Sequence, residues 1–97
     1  MKKPFTIIAG DTEGCYFCGS YRMIEWHHVF GASNRKKSTQ YGLVVPLCRN
    51  CHNEPPNGVH HNASTNHWLK ATVQRKAMDY YKWDVDTFRN IFGKNYL

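Results

Sequence analysis

The chain has 97 residues, 41% of them hydrophobic, a length and apolar content that suit one folded domain and exclude a disordered tail. No apolar run approaches the ~20 residues of a transmembrane helix. A formal charge of +6 and a pI of about 9.3 are compatible with simple solubility. With basic clusters at Lys2-Lys3, Arg35-Lys36-Lys37 and Arg75-Lys76, the middle one close to a histidine pair, a polyanionic partner becomes the better reading.

Residues 1–14 form a lead-in broken by Gly10 and Gly14. Its apolar stretch is too short for a secretory signal, and Asp11 interrupts it. Cys15-Tyr16-Phe17-Cys18 is a first cysteine couplet, closed by the turn signal Gly19-Ser20. Tyr21 to Trp26 is short and rich in strand formers, and predicts a strand running into His27-His28. The segment from Gly31 to Lys37 reads as a polar loop. Leu43-Val44-Val45-Pro46-Leu47 predicts a second strand, with Pro46 marking its end or an edge.

That strand leads into a second couplet, Cys48-Arg49-Asn50-Cys51, with His52 immediately after it. Glu54-Pro55-Pro56-Asn57-Gly58 cannot be helix interior, so a helix either starts at the couplet and breaks or restarts beyond Gly58. From Asn66 onward Leu69, Val73, Ala77 and Tyr80 recur as one helical face, with Lys70, Gln74, Arg75 and Lys82 largely elsewhere. Asp84 reads as the N-cap of a last short helix with Val85, Phe88, Ile91 and Phe92 inward and Gly93 as its stop. Trp26, Trp68 and Trp83 read as core residues. The chain shows no internal repeat. Mixed strands and helices of this size predict an α+β domain.

Four cysteines in two C-x2-C couplets suit a tetrahedral zinc site, with Cys15, Cys18, Cys48 and Cys51 as ligands. Two disulfides are the alternative, and the tight paired spacing favours metal over crosslinks between distant segments. Four soft thiolates select zinc. They must stay reduced to hold it, which places the protein in a reducing cytoplasm. Bound zinc would also lower the net charge, since four thiolates around one ion carry −2.

Cys15-x2-Cys18, Glu25-Trp26-His27-His28-Val29-Phe30-Gly31 and Val45-Pro46-Leu47-Cys48-x2-Cys51-His52-Asn53 together resemble the HNH endonucleases. The likeness is to small bacteriophage and prophage members, and extends through Tyr41-Gly42-Leu43, Gly58-Val59-His60 and the Ile91-to-Leu97 ending. It implies the ββα-metal fold, a two-stranded hairpin and a helix around one metal, here stapled by zinc and followed by further C-terminal helices. It also implies a metal-dependent endonuclease that hydrolyses DNA phosphodiester bonds with little sequence preference, inside a bacterial host.

Carried over residue by residue, the resemblance makes His27 a metal ligand, His28 the general base and His52 a second ligand. Related proteins often place a third histidine one helical turn after the second. That position is Pro56 here, so His60 is the expected third ligand, with His61 as fallback; both could instead simply begin the next helix. Gly42 stands where the family carries asparagine, and Asn34 is the candidate to orient His28 in its place.

Two or three imidazoles favour zinc, nickel or manganese as the catalytic ion, while magnesium is admitted through phosphate and water oxygens. Arg35, Lys36 and Lys37 are candidate phosphate contacts, and Arg49 is a candidate for the scissile phosphate. Neighbouring residues on an ideal strand face opposite ways, so the first strand is expected to end or twist at Trp26 for His27 and His28 to share one site. The competing readings are a non-catalytic zinc module that binds nucleic acid and a zinc domain for protein contacts.

Overall fold

Two five-residue strands carry most of the site. In the computed structural model, which describes residues 4–10, 13–56 and 58–97, β1 (Ile24–His28) pairs antiparallel with β2 (Val44–Cys48). The register sets Ile24 opposite Cys48, His27 opposite Val45 and His28 opposite Val44. β1 continues through both histidines and does not break at Trp26. Every residue of β2 is buried, as its unbroken apolar run requires. Pro46 sits mid-strand, tolerated because each strand of a two-stranded sheet is also an edge.

The polar segment after the histidine pair is helical. A 3-10 turn (Ala32–Asn34) leads into α1 (Arg35–Tyr41), which carries no apolar stripe because Ser38 is its one buried residue. The Ser38 hydroxyl donates to the Phe30 carbonyl at 2.6 Å and accepts from the Phe30 amide at 3.1 Å, tying α1 to the end of β1. Gly42 ends α1 in the left-handed region at φ 73°. A Cβ there would stand 2.8 Å from the Phe5 ring, so the position calls for glycine on two counts. The lead-in is more structured than its composition suggests. Ile7 N donates to the Gly42 carbonyl, Thr6 Oγ1 donates to Val44 O, and Ile8 joins the core. Lys2, Lys3, Asp11 and Asn57 lie outside the described residues.

α2 (Arg49–His52) is a single turn that starts at the second couplet. The chain then loops through Pro55-Pro56, and Gly58 N returns to the Glu54 carbonyl at 2.7 Å. A Cβ at Gly58 would meet Glu54 backbone at 2.8 Å, so this tight return also depends on glycine. A 3-10 turn (Val59–His61) follows, then α3 (Ala63–Tyr81), capped by Asn62, whose side chain accepts from Thr65 N. Leu69, Val73 and Ala77 line the buried face as expected. Tyr80 does not, being 59% exposed, and Gln74 is fully buried instead, bonded to Asn95 and to the Tyr96 amide. α4 (Val85–Phe92) begins at Asp84, whose carboxylate accepts from Thr87 N, and ends at a left-handed Gly93.

The core joins Val29, Phe30, Leu43, Val45 and Leu47 from the hairpin to Leu69, Val73, Phe88 and Phe92 from α3 and α4. Trp83 packs at its edge, stacked on Tyr81, whereas Trp68 is 54% exposed and leans on Phe17. The architecture is thus α+β: a two-stranded sheet and four helices among the described residues. No helix among them is long and apolar enough to cross a membrane.

Candidate metal centres and active site

Local geometry brings the four cysteines together. Gly19 N donates to the Cys15 carbonyl and Cys15 N to the Ser20 carbonyl, folding the first couplet into a knuckle. Tyr16 N donates to Pro46 O at 2.7 Å and fastens that knuckle to β2, which delivers Cys48 directly. The four sulfurs lie within 4.8 Å of one another, and none is in a disulfide. Cys18 and Cys48 sulfurs are 3.6 Å apart, near the spacing of about 3.8 Å that Zn–S bonds of ~2.3 Å produce in a tetrahedron. Burial opposes the Cys15 thiolate, but backbone hydrogen bonds from Cys48, Cys18 and Phe17 outweigh it and bring the thiol down to about 7. A Ser20 backbone contact favours the Cys18 thiolate, yet the crowded sulfurs of Cys15 and Cys48 push its pKa up. Burial and the neighbouring sulfurs push Cys51 up as well. Four sulfurs held in so small a space, with the Cys15 thiol already biased toward its thiolate, suit a structural cation such as zinc.

A second cluster joins His27, His52 and His60, whose ligand nitrogens also lie within 4.8 Å of one another. His27 comes from β1, His52 from the single turn of α2, and His60 from the 3-10 turn after the Gly58 return. His61 is exposed and outside the cluster, and His67 sits on the open face of α3. His27 is 6% exposed, and its Nε2 is the one buried side-chain nitrogen or oxygen among the described residues without a hydrogen-bond partner. Burial, with the charges of His52, His60, His28 and Lys70, lowers its pKa to about 3. His27 is therefore a neutral imidazole with an unused ring nitrogen, the form a metal takes.

His52 is oriented from behind. Its Nδ1 donates to Glu25 Oε1 at 2.7 Å, and Asn53 Nδ2 donates to the same oxygen at 3.3 Å. The His52 bond holds the Glu25 carboxyl below its usual range. With its proton on Nδ1, His52 turns a bare Nε2 toward His60, whose Nε2 is 2.9 Å away. Carboxylate behind, imidazole in front and an open centre is the pattern of metal-bound histidine. Burial and the His52 charge likewise lower His60.

His28 stands at the end of β1 and lines a cavity of about 410 Å³ together with His27 and His60. The adjacent pair thus shares one site from two strand faces. The Thr39 hydroxyl donates to the Arg35 carbonyl at 3.3 Å, so its oxygen accepts from His28 Nε2 at 3.0 Å. That contact places the His28 proton on Nε2 and leaves Nδ1 as a lone pair. Burial and the Arg35 charge lower its pKa, which keeps the ring neutral near pH 7.

The remaining expected residues divide. Asn34 does not touch His28; its Nδ2 donates to the Phe92 carbonyl at 2.9 Å, so it fastens the loop to α4. Thr39 occupies the orienting place instead. Arg35 and Lys36 are exposed on α1, with Arg35 near enough to bear on His28. Lys37 is turned away and donates to the Ile91 carbonyl, at the end of α4 where backbone carbonyls lack helical partners. Arg49 pairs with Glu54 at 3.3 Å and lines a separate cleft beside the cysteines, not the histidine cavity.

Glu25, Thr39, Asn53, Asn66 and Lys70 belong to the site or its supports and carried no expected role. Glu25 lies two residues before His27, hence on the same strand face, a signal available in the sequence. Thr39 offered none, since it fell outside every predicted element, just beyond the expected loop from Gly31 to Lys37. Comparison with protein-family models, curated proteins and solved structures found no match for this chain.

Proposed function

We propose that the chain is a metal-dependent endonuclease of the HNH, ββα-metal type that hydrolyses DNA phosphodiester bonds. The observation that carries this reading is the orphaned, buried His27 Nε2, converging with His52 and His60 beside a His28 whose Nδ1 is free to take a proton. A staple alone needs only the cysteines, so a second constellation with a fixed-tautomer base next to it favours hydrolysis over a binding module.

His27, His52 and His60 would hold a divalent cation, with Glu25 keeping His52 in the correct tautomer. When bound, such an ion polarises a phosphoryl oxygen and stabilises the departing alkoxide. Zinc, nickel and manganese suit the imidazole set, and magnesium enters through substrate and water oxygens. His28 accepts a proton from the attacking water at Nδ1 while Thr39 holds the opposite edge of its ring. Arg35 and Lys36, exposed and unpaired with carboxylates among the described residues, supply backbone contacts that carry no base reading. The cysteine cluster sets the end of β2 and the start of α2, and so the position of His52.

The test is plasmid nicking by protein stripped of exchangeable metal and re-supplied separately with magnesium, manganese, nickel and zinc. Cleavage should return with at least one ion in the wild type and with none in His27→Ala. Tight DNA binding without cleavage under every ion would instead identify a non-catalytic nucleic-acid module.

A further inference from the structure

The histidine cavity has a wall that these roles leave idle. α3 presents Asn66 and Lys70 to it, four residues apart and therefore one above the other on the same helix face. Lys70 is half-buried and has no carboxylate partner among the described residues. Its contact is the Tyr96 ring, with Nζ 5.4 Å from the centroid. Lys94 approaches the same ring at 5.3 Å, so one aromatic side chain carries two ammonium groups. Among the described residues no carboxylate lines the cavity. A partly desolvated ammonium without a counterion, facing neutral imidazoles across an open space, is a site prepared for an anion from outside the protein.

We infer that Lys70, with Asn66 beside it, forms a phosphate subsite on α3 that grips a non-bridging oxygen of the scissile phosphodiester. Among the described residues Lys70 is the lysine or arginine that shares the cavity with His28 and His60, whereas Arg49 and Lys37 are committed elsewhere. Its placement by the Tyr96 ring leaves all three N–H donors available. Charge building on the phosphoryl oxygens would be met there by a preorganised donor. The identity of the anion as a phosphodiester rests on the nuclease reading; the anion subsite itself does not.

Two measurements separate these. Binding of inorganic phosphate to protein stripped of exchangeable metal but retaining its structural metal, followed by calorimetry, should weaken roughly tenfold in Lys70→Met and recover in Lys70→Arg. In metal-loaded protein, kcat on both plasmid and bis(4-nitrophenyl) phosphate should fall about 100-fold in Lys70→Met. The small diester has no flanking phosphate, so a loss on plasmid alone would move the contact away from the scissile group and overturn the inference. Equal phosphate affinity in wild type and Lys70→Met would overturn it too. If the wild type hydrolyses neither substrate yet binds phosphate through Lys70, the subsite stands and the nuclease reading fails. Lys70→Gln is the second variant, with structural-metal content and melting reporting that each protein is folded.

Discussion

At the scale of single residues, the site depends on which nitrogen of each histidine holds its proton. Glu25 fixes the proton of His52 on Nδ1, and Thr39 fixes that of His28 on Nε2. On the proposed reading, removing the Thr39 oxygen should leave metal binding unchanged while loosening His28 as the base. Thr39→Val is expected to lower the cleavage rate about tenfold with unchanged metal content; an unaffected rate would show that Thr39 does not orient His28. The acidic limb of the pH profile follows from burial and the Arg35 charge, both of which disfavour the His28 imidazolium. The neutral base therefore persists below the ordinary histidine pKa, so the rate should begin to fall only under about pH 6.5. A limb displaced above that value would mean that His28 is not the titrating base.

At the scale of elements, legibility followed the strength of local chemistry. α4 was readable because Asp84 and Gly93 are direct start and stop signals and Phe88 and Phe92 keep one face. α1 was not, because it buries only Ser38 and so shows no apolar period to distinguish it from a loop. Reading Gly31 to Lys37 as a loop also made Lys37 look available for phosphate, and left Thr39 outside any predicted element. Tyr80 and Gln74 exchanged roles on α3 because apolar character alone could not foresee that Asn95 and the Tyr96 amide would satisfy a buried amide side chain. Gly42 is where α1, the lead-in and β2 meet. Gly42→Ala should cost about 2 kcal/mol through its left-handed backbone and lower Tm by roughly 10 °C, with the added methyl pressing on Phe5. An unchanged Tm would show that the Phe5 contact and the left-handed turn are not required.

At the scale of the whole molecule, two separate groups of metal-ligating side chains stand out, the four cysteines and the three histidines, and the proposed reading divides between them the holding of the fold and the chemistry. The couplets were legible by spacing, and the structure brings all four sulfurs together. The closure of His60 onto His52 was not derivable from spacing, since it depends on the return at Gly58 and on the seven residues between the two histidines. With a core this small, a metal held by the four cysteines would supply folding free energy. Cys48→Ala should therefore lose cooperative thermal unfolding, as measured by circular dichroism. A soluble, cooperatively melting Cys48→Ala protein would remove the structural-metal role from the couplets.

The most direct measurement is plasmid cleavage by His28→Ala compared with the wild type at matched metal content and matched melting temperature. Loss of cleavage with both metals and the fold retained is the predicted result. Full activity in His28→Ala would contradict the assignment of this histidine as the base on which hydrolysis turns.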